Sequence, residues 1–420
     1  MTASFTTLGA VIGLVLAIIL IIRKVNPTYS LILGALIGGF IGSFDLVLTV
    51  NTMVTGASSM ISSVLRIMTS GVLAGALIKT GAAEKIADVI VKTLGEKRAI
   101  IAVAIATMII CAVGVFVDIS VITVAPIALA IGERAGYNKP SLLLAMIGGG
   151  KAGNILSPNP NTIAVSEAFG LDLTSLMIKN AVPALCALIV TCILATFLSK
   201  KKGSMVTSED LEQRDSKDLP SFIQAIVGPL VVIVLLGLRP VAGITIDPLI
   251  ALPVGGLVCS LFCGKIKGFK EQAEYGLSKV VGVSVLLIGT GTIAGIIKAS
   301  ALQYDFINLL DFLNMPAFLL APIAGILMAG ATASTTAGAT IASQTFAGTL
   351  TSAGVSALSA GAMIHAGATV IDSLPHGSFF HATGGAAGMK INERMKLIPF
   401  EACIGLTSTV VATIIYLIGF

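Results

Sequence analysis

Apolar runs separated by short polar stretches make up most of this chain. Residues 8–22 and 29–44 form two such runs near the start, and Phe222–Leu238 with residues 248–263 form two more in the second half. A helix of about 20 apolar residues crosses the hydrocarbon core of a bilayer. The pattern therefore predicts an all-α polytopic membrane protein, with another span at residues 175–198.

Two apolar segments contain interruptions rich in glycine, proline and polar residues. Residues 148–162 include Lys151 and three asparagines, and residues 362–378 include an aspartate and two histidines. A shift of 217 positions places Pro158 on Pro375. We expect the glycines and prolines to interrupt the helix. Matched interruptions in two halves indicate the binding site of a secondary transporter, because polar groups at membrane depth line a wet cavity or are buried in protein.

Two other segments hold paired apolar arms around a short tip. Residues 99–131 carry Asp118 near their tip, and residues 316–350 have a tip of small and hydroxyl-bearing residues. A shift of 216 positions places Ser334 on Asp118. Arms of about 15 residues are short for full crossings. We therefore predict a re-entrant hairpin in each half, paired with a broken transmembrane helix.

The order of these features repeats along the chain. The sequence Ser-Gly-Val-Leu-Ala-Gly at residues 70–75 is matched by Thr-Gly-Thr-Ile-Ala-Gly at residues 290–295. We therefore predict two membrane repeats, residues 1–198 and residues 222–420, joined by a hydrophilic cytoplasmic linker at residues 199–221.

Composition and charge support the membrane assignment. The chain is 55% hydrophobic and 11% charged, with a mean hydropathy of +1.00. A soluble protein carries more charge on its surface. The net charge of +5 comes from short basic clusters between apolar runs, which set topology, and it does not indicate nucleic-acid binding.

The basic clusters also predict an orientation. Residues 23–24, 200–202, 265–270 and 389–394 all fall on the cytoplasmic side of one scheme, as the positive-inside rule requires. In that scheme the two halves have opposite orientations and both termini lie outside. We therefore expect inverted-topology repeats in the plasma (inner) membrane, crossing the lipid bilayer many times.

The polar residues of the interruptions and hairpin tips are the candidate substrate ligands. Lys151 either pairs with a carboxylate substrate or supplies the positive charge that a sodium ion provides elsewhere; alternatively, it forms a structural pair with Asp118 or Asp372. Asparagine, serine and threonine side chains can bind hydroxyl groups, and free helix N-termini attract anions. The candidate substrate-binding set is Lys151, Asn154, Ser157, Asn159, Asn161, Thr162, Thr332, Ser334, Thr335, His376 and Ser378.

Two acids and two histidines are the candidates for proton coupling. A carboxyl group buried at membrane depth favours its neutral form and can carry a proton, although aspartate also caps broken helices. Histidine titrates near physiological pH, although a lone histidine is usually structural. The set is Asp118, Asp372, His376 and His365. The spacing of these residues provides no convincing metal site, and we expect no cofactor.

At these motifs the chain resembles the gluconate permease (GntP) family of the ion transporter superfamily. Asp372-Ser373-Leu374-Pro375-His376 matches the family's DSLPH segment, residues 115–121 are similar to its acidic hairpin motif, and residues 330–333 to its second hairpin. The resemblance implies cation-coupled, usually proton-coupled, uptake of gluconate-like sugar acids or other small hydroxy or amino acids. It also implies a homodimer with a moving, elevator-type transport domain.

Together these features predict proton-coupled symport of a small organic anion, with Na+ as the less favoured coupling ion. A cation/proton antiporter that uses Asp118 and Asp372 is the alternative from the same class. An intramembrane hydrolase is a remote third reading, and the matched repeat argues against it because a catalytic pair needs no inverted duplicate. We therefore expect a transporter and not an enzyme.

Overall fold

The computed structural model describes residues 4–207, 210–211, 219–302, 304–305, 308, 312, 316–375 and 377–419. Throughout these ranges the regular secondary structure is helical, apart from two isolated β-bridges, Phe5–Ser300 and Asn138–Met205. Parts of the predicted linker, residues 208–209 and 212–218, lie outside the described residues.

The helices of the first half follow the predicted order of spans, hairpin and interrupted segment. They are α1 (Thr7–Ile22), α2 (Pro27–Ser43), α3 (Leu46–Ser58), α4 (Ile61–Lys79), α5 (Ala82–Leu94), α6 (Ala99–Ala112), α7 (Val117–Ala135), α8 (Lys139–Asn154), α9 (Pro160–Ala168), α10 (Leu173–Lys179) and α11 (Ala181–Ser199). Local signals fix several starts: Asn26 caps α2 ahead of Pro27, and Asp45 caps α3.

The second half repeats this order. Its helices are α12 (Phe222–Ala242), α13 (Pro248–Phe262), α14 (Phe269–Lys298), α15 (Leu320–Thr332), α16 (Thr335–Ser352), α17 (Ala357–Gly367), α18 (Ser378–Ala386), α19 (Ile391–Met395) and α20 (Ile398–Leu417). The pairs α6–α7 and α15–α16 are the two predicted hairpins, and α8–α9 and α17–α18 are the two interrupted segments.

Several helices are long and apolar enough to cross a bilayer. Within the described residues these are Leu46–Lys79, Ala181–Ser199, Ile266–Lys298 and Ile391–Leu417, and shorter apolar helices accompany them. Large apolar side chains also point outward, among them Ile193 at 61% exposure. Such side chains are stable facing lipid, which agrees with a multi-pass membrane protein.

The described helices pack in two groups. In the first group, α1 packs on α2, α14 packs on α2, α3 and α4, and α13 packs on α4 and α12. In the second group, α8 packs on α6, α7 and α11, α15 packs on α16 and α17, and α20 packs on α11 and α17. The groups meet where α16 lies on α14 and where α9 lies on α4.

Glycines set the closest helix crossings of the first group. A Cβ placed on Gly276 of α14 would lie 1.8 Å from the carbonyl oxygen of Gly71 in α4. A Cβ on Gly56 of α3 would lie 2.2 Å from the carbonyl oxygen of Gly291 in α14. Backbones approach this closely only where side chains are absent. Adding 220 to the residue number converts Gly56 into Gly276 and Gly71 into Gly291. The two contacts therefore join equivalent positions of the two halves, with the first-half and second-half partners exchanged.

The start of the first interruption differs from the sequence prediction. Gly148 and Gly149 do not break the helix, because α8 continues to Asn154 and the break spans residues 155–159. The glycines instead allow close packing: a Cβ on Gly149 would lie 2.1 Å from the carbonyl oxygen of Ala104. The helix ends only where Pro158 and Pro160 follow.

A methyl group added at the α4–α14 crossing tests the packing. We expect Gly276→Ala to lower the thermal unfolding midpoint of the purified protein, because over-packing of a close contact typically costs about 1–3 kcal/mol. Gly282→Ala on the same helix is the control, since a Cβ there meets no atom within 4 Å. Equal midpoints for the two variants would contradict the crossing.

Candidate functional site

The two interrupted segments meet at a buried ion pair. The Nζ of Lys151, near the end of α8, lies 2.6 Å from Oδ1 of Asp372, between α17 and α18. Both residues are 2% exposed. The segments therefore touch inside the protein, and the pairing of Lys151 with Asp372 is one of the alternatives that the sequence left open.

Further hydrogen bonds hold both partners of this pair. Lys151 also donates to the carbonyl oxygen of Thr369 at 2.7 Å. Asp372 accepts from the hydroxyl of Thr335 at 2.5 Å through Oδ2 and from that of Ser373 at 3.0 Å through Oδ1. Thr335 is the first residue of α16, so the ion pair ties the tip of the second hairpin to both interrupted segments.

Beside the ion pair is a cavity of about 230 Å³ that both hairpin tips and both interruptions line. Its polar lining residues come from the two hairpin tips and the two interrupted segments that supplied the candidate ligands, together with one residue of α14. The polar lining residues are Asp118, Asn154, Asn161, Lys279, Ser334, Thr335, Thr336 and Ser378.

Among the described lining residues, four helices contribute residues from their N-termini. Val117 and Thr335 begin α7 and α16, Asn161 lies in the first turn of α9, and Ser378 begins α18. Side chains cap α9 and α16, whereas no side-chain cap is found on α7 or α18. Because unpaired N–H groups and the helix dipole are positive at these ends, the cavity favours a negatively charged ligand.

Two asparagines present unpaired polar atoms at this cavity. Oδ1 of Asn154 accepts from the amide of Asn159 at 2.5 Å and from that of Asn161 at 2.9 Å. Nδ2 of Asn154 and Oδ1 of Asn161 have no partner within the described structure. Buried polar atoms without partners are uncommon. One donor and one acceptor on residues that line the cavity are therefore left without a described partner.

Lys279 is a lining residue that sequence reasoning missed. It lies on α14, where only residues 290–295 stood out in the sequence, as a repeat match, whereas Lys151 stood out for its position between glycines. Lys279 lines the cavity, is exposed, and interacts electrostatically with Asp118. The cationic side chain that reaches the cavity is thus supplied by the first helix group.

Five of the candidate substrate ligands do not line the cavity. Lys151 is held in its ion pair, Asn159 caps α9 by accepting from the N–H groups of Asn161 and Thr162, and Ser157 is buried. The hydroxyl of Thr332 donates to the carbonyl oxygen of Met328 at 2.8 Å. These residues position the lining. The set behind it is Lys151, Ser157, Asn159, Thr162 and Thr332.

The proton-coupling candidates also divide into a residue that lines the cavity and residues that do not. Asp118 lines the cavity, and Asp372 lies one hydrogen bond behind Thr335. His365 is 0% exposed within α17, and neither ring nitrogen has a partner within the described residues. His376 lies outside the described residues, so its predicted roles stay predictions.

Comparisons with known proteins agree on a family. The GntP family permease model matches residues 5–419. The chain is 53% identical over 411 residues to an uncharacterized transporter of Haemophilus influenzae, covering 98% of each chain. It is 22% identical to the D-serine transporter DsdX of Escherichia coli, covering 77% of this chain and 78% of that protein.

A solved structure shares the fold. The Alcanivorax borkumensis YdaH transporter, described as having an unusual topology, aligns with a TM-score of 0.62 at 15% identity. The alignment covers 89% of this chain and 88% of that chain. The named relatives are transporters or permeases rather than enzymes. The chain therefore belongs to the GntP family of permeases, as the DSLPH segment and the hairpin motifs predicted.

Proposed function

We propose that this permease is a secondary transporter that carries a small organic anion together with a proton. The convergence of helix N-termini on one cavity is the observation that supports this proposal most strongly. A carboxylate in the cavity would accept from the uncapped N–H groups of α18 and would lie near Lys279.

The remaining cavity chemistry suits a hydroxy or amino acid. The free donor of Asn154 and the free acceptor of Asn161 can bind a hydroxyl or an ammonium group next to the carboxylate. The cavity of about 230 Å³ lies below the range of about 300–1,000 Å³ of drug-sized pockets, which favours a small solute. One relative is named for D-serine transport, and the resemblance implies sugar acids.

Asp118 is our proposed proton carrier. It lines the cavity at the first hairpin tip, whereas Asp372 is already paired with Lys151. Protonation of Asp118 would remove a negative charge that repels the substrate carboxylate, which couples proton binding to anion binding. Lys279 and the helix N-termini disfavour a cation in the same cavity, which weighs against a cation/proton antiporter.

The glycine crossings support an inverted repeat. Gly71 contacts Gly276, and Gly56 contacts Gly291, so equivalent residues of the two halves exchange partners. A two-fold relation between the halves produces such an exchange. The two helix groups would then serve as a fixed scaffold and a moving transport domain, in a homodimer of the inner membrane with a cytoplasmic linker.

Salt bridges of Arg66 join the two helix groups. Arg66 of α4 donates to Asp247 at 2.9 Å and 2.6 Å, and to Glu167 of α9 at 2.8 Å. Asp247 caps α13 in the first group, whereas Glu167 belongs to the second. The Arg66–Glu167 contact would have to break whenever the second group moves along the first. We therefore infer that it stabilises the present arrangement.

Removing the free amide atoms should weaken substrate binding. We expect Asn154→Ala or Asn161→Ala to lower the affinity for sodium D-gluconate or D-serine roughly five- to tenfold, because each variant loses one proposed hydrogen bond to the substrate, of about 1 kcal/mol. Isothermal titration of purified protein measures this effect. Asn180→Ala is the matched control, since Asn180 is buried but lies away from the cavity. Unchanged affinities in both cavity variants would remove the asparagines from the site.

Neutralising Asp118 should leave substrate binding and exchange intact but abolish accumulation driven by the proton gradient. We expect Asp118→Asn proteoliposomes to exchange internal for external labelled substrate but to lose accumulation driven by an imposed pH gradient. Wild-type accumulation should collapse on addition of an uncoupler. If the variant still accumulates substrate along the pH gradient, Asp118 is not the proton carrier.

Breaking the bridge between groups should loosen α9. We expect Glu167→Gln to speed amide hydrogen exchange in Pro160–Ala168 about fivefold, because a partly exposed ion pair contributes about 1 kcal/mol at most. Asp88→Asn, which removes an exposed pair with Lys92 within α5, serves as the control. Exchange rates in α9 equal to the wild-type values would show that the Arg66–Glu167 ion pair does not stabilise α9.

A further inference from the structure

A second, larger cavity lies between the two helix groups. It encloses about 680 Å³ between α3 and α14 on one side and α9 and α16 on the other. Its lining residues and those of the central cavity do not overlap. The proposed uptake reaction makes no use of it.

The lining of this second cavity is mostly apolar by area, but it includes hydroxyl and amide groups and one positive charge. One lysine is present, and acidic residues are absent from the described lining. Met60 and Phe169 add apolar surface. Lys298, Gln344 and Thr345 are among the polar lining residues.

Thr345 gives the strongest indication that a ligand belongs here. It is 2% exposed, and its Oγ1 has no hydrogen-bond partner within the described structure. Lys298, at the end of α14, is exposed and forms no salt bridge with a described residue. A buried hydroxyl without a described partner and an ammonium group without a described salt bridge line the same cavity, which suits a ligand with negative charge and further polar groups.

The position of this cavity relates it to the central one. The helices α9, α14 and α16 contribute to both. At about 1.5 Å per residue, Lys279 and Lys298 lie roughly 28 Å apart along α14, and Thr335 and Thr345 lie roughly 15 Å apart along α16. The second cavity is therefore displaced from the central cavity towards one end of the same three helices.

We propose that the second cavity is a docking site for the transported class of small carboxylates, on the access route to the central cavity. The carboxylate would lie against Lys298, and hydroxyl or amino groups would bind Thr345 and Gln344. This inference rests on the proposed function, because it assumes that the solute is an organic anion.

Titration of full-length protein in nanodiscs of neutral lipid tests the second site. With sodium D-gluconate and D-serine as probes, we expect isothermal titration to resolve two sites per chain for the better probe. The double variant Lys298→Gln/Thr345→Val should weaken one of them roughly tenfold. Asn154→Ala should weaken the other. Circular dichroism and size-exclusion elution verify the fold of each variant.

The outcomes separate this inference from the proposed function. Two-site binding that the double variant leaves unchanged, or one site that only Asn154→Ala weakens, overturns the second site and leaves the central one intact. If folded wild-type protein binds neither probe, both the second site and the proposed function are rejected. If the double variant instead loses only co-purified phosphatidylglycerol, measured by mass spectrometry, the occupant is a lipid headgroup and the docking site is wrong.

Discussion

The buried ion pair between Lys151 and Asp372 is the interaction on which the site depends. Both charges are removed from water, and each is further held by hydrogen bonds to Thr369, Thr335 or Ser373. Removing one partner of such a pair leaves an uncompensated charge and typically costs about 3–5 kcal/mol. The pair therefore joins the two interrupted segments and the second hairpin tip in one fixed arrangement. This arrangement sets the shape of the adjacent cavity.

The proposed function requires a membrane protein to bind an anion with few charged side chains. Interrupting a helix frees N–H groups, which lipid cannot satisfy but a bound carboxylate can. Both interrupted segments are also packed through glycine: a Cβ on Gly150 would lie 2.6 Å from a methyl of Val117, and one on Gly377 would lie 2.4 Å from the carbonyl oxygen of Ala333. These close contacts place the broken segments directly on the hairpin tips. The same residues thus stabilise the fold and create the positive potential.

Much of this arrangement could be predicted from the sequence, because proline, glycine and matched spacing carry direct backbone information. The paired hairpins, the interruptions and their convergence follow from that pattern. The roles of single side chains were harder to predict. Lys151 lies near the end of α8 and pairs with Asp372, and Lys279 lies outside the predicted interruptions and hairpins yet lines the cavity. Side-chain direction depends on helix rotation and on neighbours distant in sequence, which one sequence does not encode locally.

A double-mutant cycle on the ion pair tests the account most directly. Lys151→Met, Asp372→Asn and the double variant would be compared with wild type by the free energy of unfolding in detergent. We predict that each single variant is strongly destabilised and that the double variant recovers part of the loss, giving a coupling of about 3 kcal/mol. Additive effects, with coupling near zero, would contradict the claim that this pair joins the two halves around the cavity.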